Sequence, residues 1–274
     1  MPSQFQAALL QGGPVIESLQ NPKVKEVVKL RDRRHRDETG LFLIEGYREL
    51  KRAVDAGRQM QQLFYCPKLF LGDNERALIA AAGGDAFECT PEVFAKISYR
   101  DRPDGLLGVA PQRHLHLVDL KLKKTPFLLV AESIEKPGNL GTILRSADAA
   151  GVDAVIVCDR TTDIHNPNVV RSSVGTLFTV PVVEAAAEEV MAFLKKQGIA
   201  MVAATPHAQL EFTQADLKVP LAILVGTEQY GLSELWMKQA EIAVQIPMFG
   251  TADSLNVASA TTLLLYEVIR QRRA

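Results

Sequence analysis

The sequence predicts an α/β protein in two parts, a smaller α/β domain followed by a larger one built on a parallel-type sheet. Three observations predict it. Short strand-like and helix-like segments alternate through the first 110 residues, the pattern of compact α/β packing. Phe127 to Glu132 and Leu221 to Val225 are apolar at successive positions, as strands covered on both faces require. Finally, Lys136 to Arg145, Gly226 to Ser233 and Ile246 to Asn256 set polar residues and glycines after strand-like segments, which is how an open sheet builds a ligand site at the carboxyl ends of its strands.

Composition bounds the rest. A chain of 274 residues, 47% hydrophobic, can fill one large core or two modest ones. There is no run of about 18 apolar residues, so no membrane span is expected. The opening MPSQFQAALLQGGP lacks the basic start and apolar stretch of a signal peptide, and the expected location is cytoplasmic. Cys66, Cys89 and Cys158 are far apart and odd in number, which gives neither a disulfide framework nor metal spacing. Residues 1–124 hold 20 Lys and Arg against 16 Asp and Glu, whereas residues 125–274 hold 11 against 16. The positive charge sits in the N-terminal half, and the acidic remainder is compatible with a grip on a polyanion delegated to that half or to a partner subunit.

In chain order, residues 1–14 are expected to be a flexible arm. Asn21-Pro22 predicts a helix start. Arg33, Arg34 and Arg36 are expected at the helix exit, gathered in one loop that meets consecutive phosphates; the plainer alternative is a solvated charged face. Strands are predicted over Leu41 to Glu45, Gln62 to Cys66, Ala86 to Cys89 and Leu106 to Ala110, and helices over Gly46 to Ala56, Asn74 to Ala82 and Pro91 to Ile97. Together they make a domain over 15–110. Its polar loop Ser98 to Gly105 offers Arg100 and Arg102 as further candidate phosphate contacts, against the alternative of a plain surface turn. Residues 111–126 read as a linker; His114 and His116 have no third ligand nearby, and no metal site is expected.

The second domain, 127–274, opens with the strand Phe127 to Glu132. After the Pro137-Gly138 turn, Asn139 is the natural N-cap of a helix ending at Gly151, with Arg145 six residues on. Strands follow at Ala154 to Cys158, Phe178 to Val183 and Ile199 to Ala204, with Arg171 and Ser173 between the first two and a helix over Ala185 to Gln197. Thr205, Pro206 and His207 end the third; His207 is a candidate base, although a lone loop histidine is commonly neither base nor ligand. The strand to Val225 delivers Gly226, Glu228 and Gly231, and a helix is placed near Leu235. The strand Ala243 to Pro247 leads past Met248 and Gly250 to Ser254 and Asn256, which open an apolar terminal helix. Neither GxGxxG after the first strand nor GxxxxGK[ST] is present, which argues against a nicotinamide site and a P-loop.

Three blocks, Asn139-x-Gly141-x-x-x-Arg145, then Gly226-x-Glu228-x-x-Gly231, then Ile246-Pro247-Met248 with Ser254-Leu255-Asn256-Val257, together and in this order resemble the SpoU/TrmH branch of the SPOUT RNA methyltransferases. The resemblance implies a trefoil-knotted α/β domain that dimerises, binds S-adenosylmethionine in the knot and methylates a ribose 2′-hydroxyl in RNA. It also implies Arg145, Asn139, Glu228, Ser254 and Asn256 as the catalytic set. Thr205, Gly226, Glu228, Gly231, Ile246, Met248, Ser254, Leu255 and Asn256 would hold the cofactor, and Arg33, Arg34, Arg36, Arg100, Arg102 and Arg171 the RNA. Arg145 matches the residue assigned to activation of the hydroxyl; a guanidinium with a pKa above about 12 is a poor base, so a role in orienting phosphate and stabilising the alkoxide is expected. The N-terminal domain is similar to the ribosomal-protein-like substrate-binding module of this family, which favours 23S ribosomal RNA. The alternatives are a transfer RNA 2′-O-methyltransferase, a silent RNA-binding or ribosome-assembly protein on the same scaffold, and a small-molecule methyltransferase, which would leave the basic domain without a task.

Overall fold

Local capping sets the first helices of the computed structural model, which describes residues 14–273; all but the last residue of the expected arm, 1–14, lies outside them. Helix α1 (Pro22–Lys29) starts with proline at its first position and the Asn21 side chain accepting the Lys23 amide at 2.9 Å. Asp32 accepts the Arg34 amide at 2.8 Å and starts α2 (Arg33–Thr39), closed by Gly40 at φ 65°. The expected loop of arginines is therefore a second helix. Arg36 on it is 1% exposed and donates Nη1 to the carbonyls of Leu30 and Arg31 at 2.9 and 2.8 Å. This corrects its assignment as an RNA contact: a guanidinium turned inward clamps the turn between α1 and α2 and reaches no phosphate.

The chain continues through β1 (Leu41–Glu45), α3 (Tyr47–Asp55), β2 (Gln62–Tyr65), α4 (Glu75–Ala82), β3 (Asp85–Glu88), α5 (Pro91–Ile97) and β4 (Leu106–Pro111). The strands form one sheet in the order β1-β4-β2-β3, antiparallel about β4 and parallel between β2 and β3. Val24, Val27, Leu43, Phe64, Phe94 and Ile97 fill a core against it. At the end of β1, Glu45 accepts the Ser98 hydroxyl and the Tyr99 amide, and Arg100 pairs with Glu49 at 2.6 Å while donating to the Glu45 carbonyl. Arg100, only 19% exposed in its side chain, is thus consumed in neutralising a buried carboxylate, which corrects its assignment as an RNA contact. Arg102 in the same loop is exposed.

The second unit holds β5 (Phe127–Glu132), α6 (Pro137–Ala150) and β6 (Ala154–Cys158). The chain then passes through α7 (Pro167–Ser172), β7 (Val182–Ala185), α8 (Ala187–Gln197), β8 (Ala200–Ala204), β9 (Leu210–Glu211), β10 (Leu221–Val225), α9 (Glu234–Gln239), β11 (Ile242–Gln245) and α10 (Val257–Arg273). Seven strands make an all-parallel sheet in the order β7-β6-β5-β10-β8-β11-β9. Strand β10 lies at its centre, Ile223 facing Leu129 on one side and Val202 on the other. The uniformly buried β5, β6 and β10 match their unbroken apolar sequences. Helix α6 starts at Pro137 with Lys136 at the cap position and no capping side chain. Asn139 is therefore the third residue of α6 and not its cap, a correction that leaves its amide available for other partners. Asn256 caps α10, accepting the Ala258 amide at 3.0 Å; the exposed Ser254 lies outside the helix. Helices α6 and α10 meet through the Ser146 and Thr262 hydroxyls at 2.7 Å.

His165–Thr179, expected in the second domain, clusters instead with the described residues up to Arg113; His114–Ile164 and the chain from Val180 make up the other unit. Within the first unit, Phe42 packs against His165 and Phe178 with ring centroids 4.7 and 6.1 Å apart. The expected strand Phe178 to Val183 forms only from Val182, because Val174 and Gly175 take φ 53° and 80° and send the chain into a 3-10 turn, Thr176–Phe178. A Cβ at Gly175 would stand 2.9 Å from Glu49 Cα, so only glycine fits there.

Candidate active site

Parallel strands end along one edge of a sheet, and the ends of β10, β8 and β11 are neighbours there. The loops that leave them line a cleft of about 770 Å³. Thr205 follows β8; Gly226, Glu228 and Gly231 follow β10; Ile246, Met248, Ser254 and Leu255 follow β11, and all eight line the cleft. Size and lining suit a nucleoside-bearing cofactor, with apolar walls from Ile246, Met248 and Leu255 and a few polar groups between them. Asn256, expected among these, caps α10 behind the cleft instead of lining it.

The β10 loop is folded on itself. Thr227 and Gly231 exchange backbone hydrogen bonds at 3.0 and 3.1 Å, Gly231 takes φ 68°, and a Cβ on Gly226 would meet the Gly231 carbonyl oxygen at 2.1 Å. Only glycine fits at 226, which leaves backbone as the lining there.

Side chains then join the three sequence blocks. Asn139 donates Nδ2 to Glu228 Oε1 and accepts on Oδ1 from Asn256 Nδ2 at 3.2 Å. The start of α6, the β10 loop and the cap of α10 are fixed to one another through this one amide. It also sets the Glu228 carboxylate near two helix N-termini, where the helix dipoles favour negative charge.

Arg145 stays apart from that network. It is exposed, does not line the cleft, and forms no ion pair with another described residue; six residues past Asn139 place it about 9 Å further along the helix axis. Among the remaining arginines proposed for RNA, Arg34 is 87% exposed in its side chain and 2.8 Å from Glu38, Arg33 lies 3.6 Å from Asp37, and Arg171 is exposed on α7. His207 lines the cleft but is exposed, with its backbone amide on Thr205 Oγ1 at 3.3 Å.

Among the residues of the site that escaped the sequence reading are Asp253, Tyr230 and Glu132. Asp253 adds a second carboxylate to the cleft and Tyr230 a ring. Glu132, at the end of β5, accepts the Ser233 amide at 2.8 Å and holds the start of α9 below the loop. An acidic residue closing an otherwise apolar strand was the available signal for Glu132; nothing in the spacing marked the other two. No cluster of three or more His, Cys, Asp or Glu among the described residues could hold a metal ion.

Comparison with known proteins sets this geometry among relatives. The SpoU rRNA Methylase family matches residues 126–266, and the MRM3-like substrate binding domain matches residues 21–108. The 23S rRNA (uridine(2479)-2′-O)-methyltransferase of Streptomyces viridochromogenes is 31% identical over 250 residues, covering 89% of this chain and 87% of that protein. The 23S rRNA (guanosine(2553)-2′-O)-methyltransferase RlmP of Bacillus subtilis (strain 168) is 28% identical over 92% of this chain and 98% of its own. Among solved structures, an RNA 2′-O ribose methyltransferase superposes with TM-score 0.86 at 41% identity, covering 95% of this chain and all of the other. The SpoU methyltransferase AviRb of Streptomyces viridochromogenes in complex with AdoMet gives TM-score 0.86 at 30% identity, over 93% and 99% of the two chains.

Proposed function

The chain belongs to the SpoU rRNA methylase family, and from that premise we propose that it transfers the methyl group of S-adenosylmethionine to a ribose 2′-hydroxyl of 23S ribosomal RNA. The observation that carries this reading is the hydrogen-bonded chain Glu228–Asn139–Asn256 beside the cleft, because it assembles one residue from each family block. The cradle at Gly226, where a side chain would strike Gly231, and the apolar walls Ile246, Met248 and Leu255 fit the adenosine of the cofactor. When bound, S-adenosylmethionine supplies an electrophilic methyl on a leaving group that departs as a neutral thioether.

The protein's task is then to place and activate the hydroxyl. Glu228, held by Asn139, keeps the β10 loop in its folded form, and Asp253 adds a second carboxylate to the cleft, a charge that would complement a sulfonium. Ser254, which lines the cleft, orients the ribose, while Asn256 at the start of α10 holds Asn139 in place. Arg145, exposed and without an ion-pair partner among the described residues, meets the substrate phosphate and stabilises the developing alkoxide; a guanidinium holds its proton, so the hydroxyl proton leaves to another acceptor. Arg33, Arg34, Arg102 and Arg171 are proposed to meet RNA phosphates, each consistent with its exposure.

Ribosomal RNA is favoured over transfer RNA by the substrate-binding domain over 21–108 and by the relatives that span nearly the whole chain. A knotted topology, cytoplasmic residence and a homodimer belong to the same reading. Support for the dimer is the face of α10 that leaves Leu263 and Tyr266 exposed at 44% and 50%. Light scattering is expected to give twice the chain mass, and Leu263→Asp half of that; a wild-type monomer would remove the dimer.

The test of the activity is tritiated methyl transfer to unmodified 23S rRNA and, separately, to transfer RNA, with mapping of 2′-O-methyl positions. Label at a single 23S position is expected. Asn139→Ala is expected to lose about 10²-fold in kcat/KM, since small misplacements cost that much. Label in transfer RNA alone moves the substrate, no label with cofactor bound points to an assembled particle or another RNA, and no cofactor binding favours the silent scaffold.

A further inference from the structure

Among the described residues only three Phe, Tyr or Trp side chains are exposed: Phe249 at 96%, Tyr230 at 78% and Tyr266 at 50%. Tyr266 stands on α10. The other two stand on the two loops that follow β10 and β11 and wall the same cleft. Tyr230 lines it, and Phe249 directly follows Met248, which lines it.

Both rings are displayed by their loops. The Tyr230 amide donates to Thr227 Oγ1 at 2.9 Å inside the turn closed by Thr227 and Gly231, which fixes the backbone and leaves the ring outside. Phe249 precedes Gly250, which faces open space. Single exposed apolar residues are ordinary on a protein surface. Two of three exposed aromatics on the loops of one cleft are a pattern that asks for a ligand with a π face.

The reaction supplies one. A ribose whose hydroxyl enters the cleft brings its own base to within one nucleoside's length of the rim, and a nucleotide drawn out of its helix to reach the cleft loses the stacking of its neighbours. RNA-binding proteins replace the lost stacking with aromatic side chains. We propose that Tyr230 and Phe249 form the platform on which the target nucleobase stacks, an inference that rests on the ribose-methylation reading above. Every base has a π face, so the platform selects an unstacked nucleotide over a paired one and leaves the choice of base to other contacts.

Methyl transfer to in vitro transcribed 23S rRNA, together with calorimetric titration of S-adenosylmethionine, tests this. Tyr230→Ala and Phe249→Ala are each expected to lower kcat/KM for RNA by about 5- to 150-fold, the worth of one stacked base; Phe249→Ala, whose side chain does not line the cofactor cleft, is expected to keep the cofactor Kd within about twofold of wild type, which also certifies its fold. Phe249→Trp and Tyr230→Phe are expected to retain activity, whereas Phe249→Leu, apolar but without a π face, falls with the alanine variant. Phe249→Leu matching wild type, alanine variants that leave kcat/KM unchanged, or a cofactor Kd of Phe249→Ala that weakens as much as its kcat/KM would each overturn the platform while leaving the methylation reading in place. A wild-type protein that binds cofactor but labels no RNA fails that reading and removes the platform with it.

Discussion

Charge alone does not tell a reader of the sequence which arginines face solvent. Arg33, Arg34 and Arg36 stand within four residues, yet the 100° step of α2 turns Arg36 into the core. Arg100 was invisible for another reason: its partner Glu49 lies 51 residues away and is buried only once β1 and α3 are in place. That pair carries a prediction. Burial raises the Glu45 and Glu49 carboxyls above their ordinary values, against the Ser98 hydrogen bond for the first and the Arg100 charge for the second. A raised carboxyl contributes stability that is present in full below the ordinary carboxylate range and lost as pH climbs through the raised value. Arg100→Ala leaves Glu49 buried and unpaired and is expected to cost about 3–5 kcal/mol in urea unfolding at pH 8, the deficit shrinking at pH 5 as Glu49 takes up a proton. Equal deficits at both pH values would clear Glu49 of the effect. Asn139 teaches the complementary lesson: its position in the motif was legible, whereas its bonds to Glu228 and Asn256 bridge 89 and 117 residues and could not be read from local spacing.

At the scale of elements, unbroken apolar strands and capped helices were legible because their signals are local. Asn21 and Gly151 did what their residue types predict. What failed was the start of β7, set by positive φ at Val174 and Gly175 against α3, a tertiary demand that overrides propensity. The β10 loop shows the same dependence in a functional place. Gly226→Ala pushes a methyl into the Gly231 carbonyl, so the turn that carries Glu228 and Tyr230 has to open. Calorimetry is expected to show S-adenosylmethionine affinity down by at least about tenfold, with circular dichroism of the helices unchanged. Retained affinity would mean the loop has a second cofactor-competent form.

For the whole molecule, the cysteines report on both units at once. Cys66 and Cys89 are buried in the first and Cys158 in the second; burial raises all three thiols, Cys89 to about 12. Aromatic disulfide reagents at pH 8 are expected to find no fast thiol in the native protein and three in denaturant, and the order in which the peptides label under mild denaturant gives the order in which the units open. A fast native thiol would show that one core breathes. The sheet order has a consequence in time. Strand β10 sits between β5 and β8 although both are synthesised before it, so a nascent chain carries two apolar strand edges whose shared partner does not yet exist. At about 5–20 residues per second, roughly 6–23 s separate the appearance of Asn139 from that of Asn256, 117 residues on. A site that is proposed to act on ribosomal RNA is thus itself incomplete on the ribosome until Asn256 has been made and can meet Asn139.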